Sequence, residues 1–184
     1  MKLIGVTGAA LSGKSTAAQY FVEEHRFVEL AFAAPIKAAI QAMLDVTDIR
    51  LRERKEDVVA PLDRSLRYLL QTLGTEWGRE LVDEQIWIKL LAQDYDFWRG
   101  NKASLKPEGI IISDVRFENE AKWVRGHGGI VLHLHRKDSD TVEAHSTEDG
   151  VARKGQDYII HNDFDLSYLR TELKRLADWD WAKL

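Results

Sequence analysis

Eight residues near the start of the chain, Gly8-Ala-Ala-Leu-Ser-Gly13-Lys14-Ser15, have the spacing of a phosphate-binding P-loop. The glycines let the backbone curl until successive N–H groups point at phosphate oxygens. Lys14 adds a mobile cation for the β and γ phosphates, and Ser15 a hydroxyl for Mg²⁺. The donor-side set expected from this loop is Gly8, Ala10, Ser12, Gly13, Lys14, Ser15 and Thr16. Such a loop needs a strand before it and a helix after it. Lys2-Leu-Ile-Gly-Val-Thr7 reads as the strand, and the run with Ala17, Ala18, Phe21 and Val22 at helical spacing reads as the helix. The positive end of that helix strengthens the anion site. ATP or GTP binding is therefore the working premise.

Other residues could serve the same chemistry. Asp114 closes a predicted strand from Gly109 to Val115, and in parallel P-loop sheets that end faces the nucleotide crevice. With Ser15 it forms the candidate metal pair, against the plainer role of capping the next helix. Phosphoryl transfer spreads negative charge over the moving group and needs positioned cations rather than a covalent nucleophile. Lys14, Arg116 and Arg136 are the candidate catalytic cations, the two arginines lying just beyond predicted strands, where rim salt bridges are the alternative. Further along, Asp63 can cap a helix that stops at Gly74, with Leu66, Leu69, Leu70 and Leu73 on one face. Arg64, Arg67 and Gln71 share the opposite stripe, where an arginine could fork around a phosphate or simply face solvent.

Two other groups invite chemistry more weakly. His133 and His135 alternate on a strand, but the chain has no cysteine and no third ligand at a recognised spacing, so a satisfied core or crevice histidine is the better reading. Trp77 and Trp87 could stack a base, although core packing is the commoner use.

The elements that must position these residues are legible as apolar runs. In addition to the first strand, runs at Phe27 to Ala33, Gly109 to Val115, Ile130 to Arg136 and Tyr158 to Asn162 alternate with helices. That order predicts an α/β fold, a five-stranded parallel sheet flanked by helices in three layers. Ile110-Ile-Ile112 suits a central strand covered on both faces. Helix Phe117 to His127 places Phe117, Ala121 and Val124 on one stripe, and the last helix does so with Leu166, Leu169, Leu173 and Leu176. Residues 35 to 108 read as a mostly helical, substrate-gripping insertion, and the polar stretch 137 to 156 as a lid that closes over phosphates and excludes water.

The chain of 184 residues is long enough for one domain, and no linker divides it. A net charge of −4 argues against broad capture of nucleic acid, which needs a basic face. The one basic cluster, Arg50 to Lys55, runs into Glu56 and Asp57 and reads as a solvated mixed-charge segment. Without cysteine, a signal-like segment or an apolar run long enough to span a bilayer, a cytoplasmic protein with no membrane role is expected.

Several motifs in order resemble the bacteriophage-type deoxynucleoside monophosphate kinases, a branch of the P-loop nucleoside monophosphate kinase superfamily. After the P-loop come Phe32-Ala-Ala-Pro-Ile-Lys37, Arg67-Tyr-Leu-Leu-Gln71 running into Gly74-Thr75-Glu76 and Arg79, and Asp114-Val-Arg116-Phe117 with Asn119-Glu120-Ala121. The Gly128-Gly129 turn, His145-Ser-Thr-Glu148 and Ile160-His-Asn162-Asp163 complete the set. The resemblance implies a P-loop kinase that moves the γ-phosphate of ATP to a deoxynucleoside monophosphate (dNMP), giving ADP and the diphosphate, with Mg²⁺. It implies that Lys37, Arg67, Gln71 and Arg79 bind the acceptor, that Arg116 and Arg136 lie near the transferring phosphate, that Asn162 lies near adenine, and that the chain pairs as a homodimer. Two segments depart from the pattern: Asp163-Phe-Asp165 stands where a glycine often follows, and residues 45 to 62 match nothing in it. The competing readings are a kinase for dephospho-coenzyme A or another phosphorylated metabolite, and a nucleotide switch. The switch has little support, because the only Asn-Lys pair, Asn101-Lys102-Ala-Ser104, lacks the guanine-reading aspartate and no Asp-x-x-Gly follows the third strand.

Overall fold

The computed structural model describes residues 1–100, 106–137, 151–179 and 181. In chain order its elements begin with β1 (Lys2–Thr7), α1 (Lys14–His25), β2 (Phe27–Leu30), α2 (Ala34–Leu44), α3 (Asp48–Glu53), β3 (Val58–Val59), β4 (Arg64–Ser65) and α4 (Leu66–Thr72). A π-helical segment, Leu73–Val82, continues α4. Then follow α5 (Ile86–Gly100), β5 (Gly109–Ile112), α6 (Glu118–Gly126), β6 (Ile130–His135), β7 (Tyr158–His161) and α7 (Leu166–Ala177). Two compact units result: Met1–Ala31 with Gln93–Leu184, and Phe32–Ala92.

In the first unit the five long strands form one parallel sheet in the order β2-β5-β1-β6-β7. The side-chain alternation of β1 explains the layers. Ile4 and Val6 turn to one face and join Ala17, Ala18 and Phe21 of α1 with Leu169, Leu173 and Leu176 of α7. Gly5 turns to the other face, where an added Cβ would lie 2.9 Å from Val115 and 3.1 Å from Val124 of α6, so a glycine is what lets that helix pack closely. Ile110, Ile111 and Ile112 are fully buried, as their unbroken apolar run predicts for a doubly covered strand.

Strand ends fall short of their predicted bounds: β2 stops at Leu30, β5 at Ile112, β6 at His135 and β7 at His161. Past those ends single bonds still reach the neighbouring strands, as Ser113 N–H donates to Leu30 O, Val115 N–H to Val6 O and Asn162 N–H to His135 O. Leu166 also departs from its predicted stripe. It is 52% exposed at the first position of α7, whose buried face is Leu169, Leu173, Leu176 and Ala177. The stretch expected to act as a lid, 137–156, falls largely outside the described residues, and His145 and Glu148 with it.

The second unit has its own core of Ile40, Val46, Leu51, Val59 and Leu66, with Leu69, Leu70 and Leu73 packed against it, so the predicted leucine stripe is a buried one. Residues 45 to 62, unplaced by sequence, supply α3, capped by the Thr47 hydroxyl on the Arg50 N–H, and the first strand of a β3–β4 hairpin. That hairpin corrects two expectations. Asp63 sits in its turn with φ of 50°, and the cap of α4 is Ser65, whose Oγ accepts from the Tyr68 N–H at 3.2 Å. Arg64 therefore lies on β4 and not on the helix, with its guanidinium 5.5 Å from the Tyr68 ring centre. The helix also does not stop at Gly74. It widens there into the π-helical segment, which ends where the Asp83 N–H donates to Gly78 O at 3.0 Å, an i to i+5 bond.

Candidate active site

The loop between β1 and α1 is shaped by positions that tolerate no side chain. Gly8 has φ of 146°, and a Cβ there would lie 2.3 Å from Leu134 O; Gly13 has φ of 106°, and its Cβ would lie 2.6 Å from Asn162 Nδ2. Only glycine meets both the backbone and the space requirement. Leu11, with φ of 64°, takes the left-handed conformation at the exposed tip.

The loop has the character of an anion cradle. Ser12 is fully buried, yet its Oγ has no hydrogen-bond partner within the protein, which a buried hydroxyl rarely tolerates. Lys14 folds its ammonium back on the loop, donating to Gly8 O at 2.7 Å and Ala9 O at 2.6 Å. Ser15 and Thr16 are exposed in the first turn of α1, whose axis starts at Gly13. Beside them opens a cleft of about 470 Å³, lined by Lys14, Ser15, Thr16, Arg136, Asn162 and Phe164 among others.

Asn162 performs a task that its sequence context did not disclose. Its backbone N–H donates to His135 O at 2.7 Å, and its buried Nδ2 donates to Ser12 O at 3.0 Å. It thereby ties the end of β7 to the phosphate loop. The residue expected near adenine does line the cleft, but its amide nitrogen is committed to the loop itself. Nearby, Asp165 caps α7 by accepting from Tyr168 N–H at 2.9 Å, and that bond, aided by Ser167, holds its carboxyl below the usual carboxylate range.

The strand register places Asp114 without ambiguity. Ile112 pairs with Gly5 and Val115 N–H donates to Val6 O, so Asp114 lies at the sheet edge from which the P-loop leaves β1. Buried Glu120 reaches back to accept from Arg116 N–H at 2.7 Å and Phe117 N–H at 3.1 Å, satisfying the start of α6. Arg116 and Arg136 are both exposed, and Arg136 is on the cleft.

The acceptor-side candidates belong to the second unit. Lys37 is half-buried on α2. Arg67 and Gln71 lie one turn apart on α4, and Arg67 is ion-paired to Glu56 with both side chains at least half exposed. Arg79 is half-buried in the π-helical segment and donates to Glu84 O at 3.3 Å. Trp87 is core, as the plainer reading of the tryptophans anticipated, whereas Trp77 is 46% exposed.

One polar network had no sequence signal because its members are distant along the chain. The fully enclosed Asp157 carboxylate accepts from Arg125 at 3.2 and 2.6 Å, from the N–H groups of Val131 and Lys154 at 3.2 and 2.8 Å, and faces His133 Nε2 at 3.3 Å. Burial alone would raise the Asp157 pKa, but these donors, Arg125 foremost, hold it below the usual value. Burial pulls His133 down, more than the carboxylate beside it pulls it up; His133 is the satisfied core histidine expected, whereas His135 is exposed. Among the described residues no three His, Cys, Asp or Glu side chains gather to hold a metal, and no helix is long and apolar enough to cross a membrane.

A glycine-built phosphate cradle at the carboxyl edge of the central strand of a parallel sheet defines a P-loop kinase fold. Solved structures share it: TT1252 from Thermus thermophilus is 19% identical with a TM-score of 0.52, covering 100% of this chain and 97% of that one. The dephospho-CoA kinase from Campylobacter jejuni is 14% identical with a TM-score of 0.50, covering 96% of each. At such identities the likeness speaks for the fold alone. The chain belongs to the deoxynucleotide monophosphate kinase family, whose profile matches residues 47–173. Because the P-loop lies before that stretch, loop and family match are separate observations. The deoxynucleoside-5′-monophosphate kinase of Escherichia phage T5 is 32% identical, over 73% of this chain and 54% of that protein. The deoxynucleotide monophosphate kinase of Enterobacteria phage T4 is 25% identical over 95% and 98%, and an Acanthamoeba polyphaga mimivirus protein with the same name, given provisionally, is 30% identical over 80% and 81%.

Proposed function

We propose that this phosphotransferase moves the γ-phosphate of ATP to the 5′-phosphate of a dNMP, giving ADP and the deoxynucleoside diphosphate. The observation that carries the reading is the loop whose glycines at 8 and 13 admit only backbone, leading into the first turn of α1, in a chain of this family.

In this reading the loop N–H groups and Lys14 hold the donor phosphates, with Asn162 keeping the loop open through Ser12 O. Ser15 and Asp114 would hold Mg²⁺ jointly with phosphate oxygens, the ion neutralising charge on the β and γ phosphates. Arg136, on the cleft, and Arg116 stabilise the charge that builds on the moving phosphoryl group. Lys37, Arg67, Gln71 and Arg79 bind the acceptor, the arginines as forks for its phosphate. A cytoplasmic setting suits a chain without cysteine.

The test is ADP release from Mg·ATP with dGMP, dTMP, dCMP, dAMP and dephospho-coenzyme A offered singly. Turnover with one or more deoxynucleotides and none with dephospho-coenzyme A is expected. Silence with every deoxynucleotide contradicts the proposal.

A further inference from the structure

The π-helical segment Leu73–Val82 is ten residues long, whereas π-helix in proteins is mostly a single widened turn and is often found at functional sites. One side chain from α5 is seated against it. Trp87, in the first turn of α5 and only 4% exposed, donates its indole N–H to Gly74 O at 2.8 Å. The same edge of the indole lies against Gly78, where an added Cβ would be 2.4 Å from Cζ2 and 2.9 Å from Cε2. One side chain therefore touches two glycines a turn apart, bonding to one and filling the space that the other leaves.

The winding matters for what the helix presents. Gln71 and Arg79 are eight positions apart, and at 3.6 residues per turn they would point about 80° away from each other. Wider i to i+5 turns between them absorb most of that angle and bring the two onto one face. We propose that Trp87 is a positioning residue for the acceptor site: seated on Gly78 and bonded to Gly74, its indole holds the π-helical winding that sets Gln71 and Arg79 side by side. This rests on the reading that those two residues bind the deoxynucleotide. It also explains why a large aromatic is buried against the one helix in the unit that carries two buried glycines.

Steady-state kinetics on the full chain test it, with Trp87→Phe, Gly78→Ala, the double variant and Arg79→Ala. Trp87→Phe removes the indole N–H and the Cζ2 contact, and should raise the KM for the deoxynucleotide roughly tenfold while kcat and the KM for ATP move less than about twofold, since misplacing a substrate contact by about 1 Å is enough for such a loss. Gly78→Ala, which keeps the indole but displaces it, should give the same split and serves if Trp87→Phe does not accumulate as folded protein. In the double variant the effects should fall well short of additive, because both act through one contact. A folded Trp87→Phe or Gly78→Ala enzyme with lowered melting temperature but unchanged acceptor KM overturns the proposal, as does additivity. Arg79→Ala separates the layers: if it leaves acceptor KM unchanged the acceptor reading itself fails, whereas if it raises KM and Trp87→Phe does not, only the positioning role fails.

Discussion

The phosphate loop and the π-helical segment are both backbone shapes that depart from regular structure, but they are held in different ways. The loop is made largely by its own residues: glycines at 8 and 13 permit the curl, and Asn162 braces it from outside. The π-helical segment is made from outside, by an indole that inserts against two glycines and bonds to one. Local chemistry makes the first legible in a linear pattern, while the second exists only once α5 has packed.

The largest expected effect calibrates both regions, since it touches neither. Asp157→Asn removes one partner of a fully enclosed ion pair and should cost about 3–5 kcal/mol of stability, read by denaturant unfolding, with the kinetics of the folded enzyme retained. Its pH signature follows from the shifts. His133 has a lowered folded pKa, so wild-type stability should begin to fall below about pH 6.5 as protonation of the unfolded chain is favoured. Asp157 is also lowered, so its contribution is complete above about pH 3.9 and is lost as pH falls further; the asparagine variant should lack that second decline.

Next in size is Lys14→Ala, expected to reduce kcat about 10²-fold or more, roughly 2.7 kcal/mol of charge stabilisation. Near-normal turnover would remove Lys14 from the mechanism. Arg116→Ala should lower kcat more than it weakens ATP binding, because the developing charge lies between donor and acceptor; a pure loss of ATP affinity by titration would reassign it. Asn162→Ala leaves Ser12 O unbonded in a buried place and should cost about 1–3 kcal/mol in stability, with weaker ATP binding. If ATP affinity is untouched, the loop is as self-sufficient as its glycines suggest and the brace is dispensable. The smallest effect belongs to the exposed Arg67–Glu56 pair. Glu56→Gln should change stability by no more than about 1 kcal/mol while freeing Arg67, so that acceptor KM falls slightly.

How much of this was readable in the chain divides along the same line. The sheet, the P-loop and the buried stripes of α4, α6 and α7 follow from apolar period and glycine placement, which act over a few residues. The hairpin of residues 58–65 leaves no signal in the chain because its strands are two residues each, too short to show a period, and its turn sets Asp63 outside the helix that its position suggests it caps. Glycine after a leucine stripe usually stops a helix, but Gly74 lies buried in the first turn of a wider one, its carbonyl accepting from Trp87. The bracing role of Asn162 and the closure of Asp157 on Arg125 depend on β6, β7 and α6 lying side by side, which no local pattern encodes.

The central claim is that a cradle built to grip ATP phosphates serves transfer to a deoxynucleotide. The direct measurement is incubation of the protein with γ-³²P-labelled ATP, Mg²⁺ and each dNMP, followed by separation of the nucleotides. Label in a deoxynucleoside diphosphate, abolished by Lys14→Ala, is the result predicted here. Label that stays in ATP, or appears only as inorganic phosphate, contradicts it.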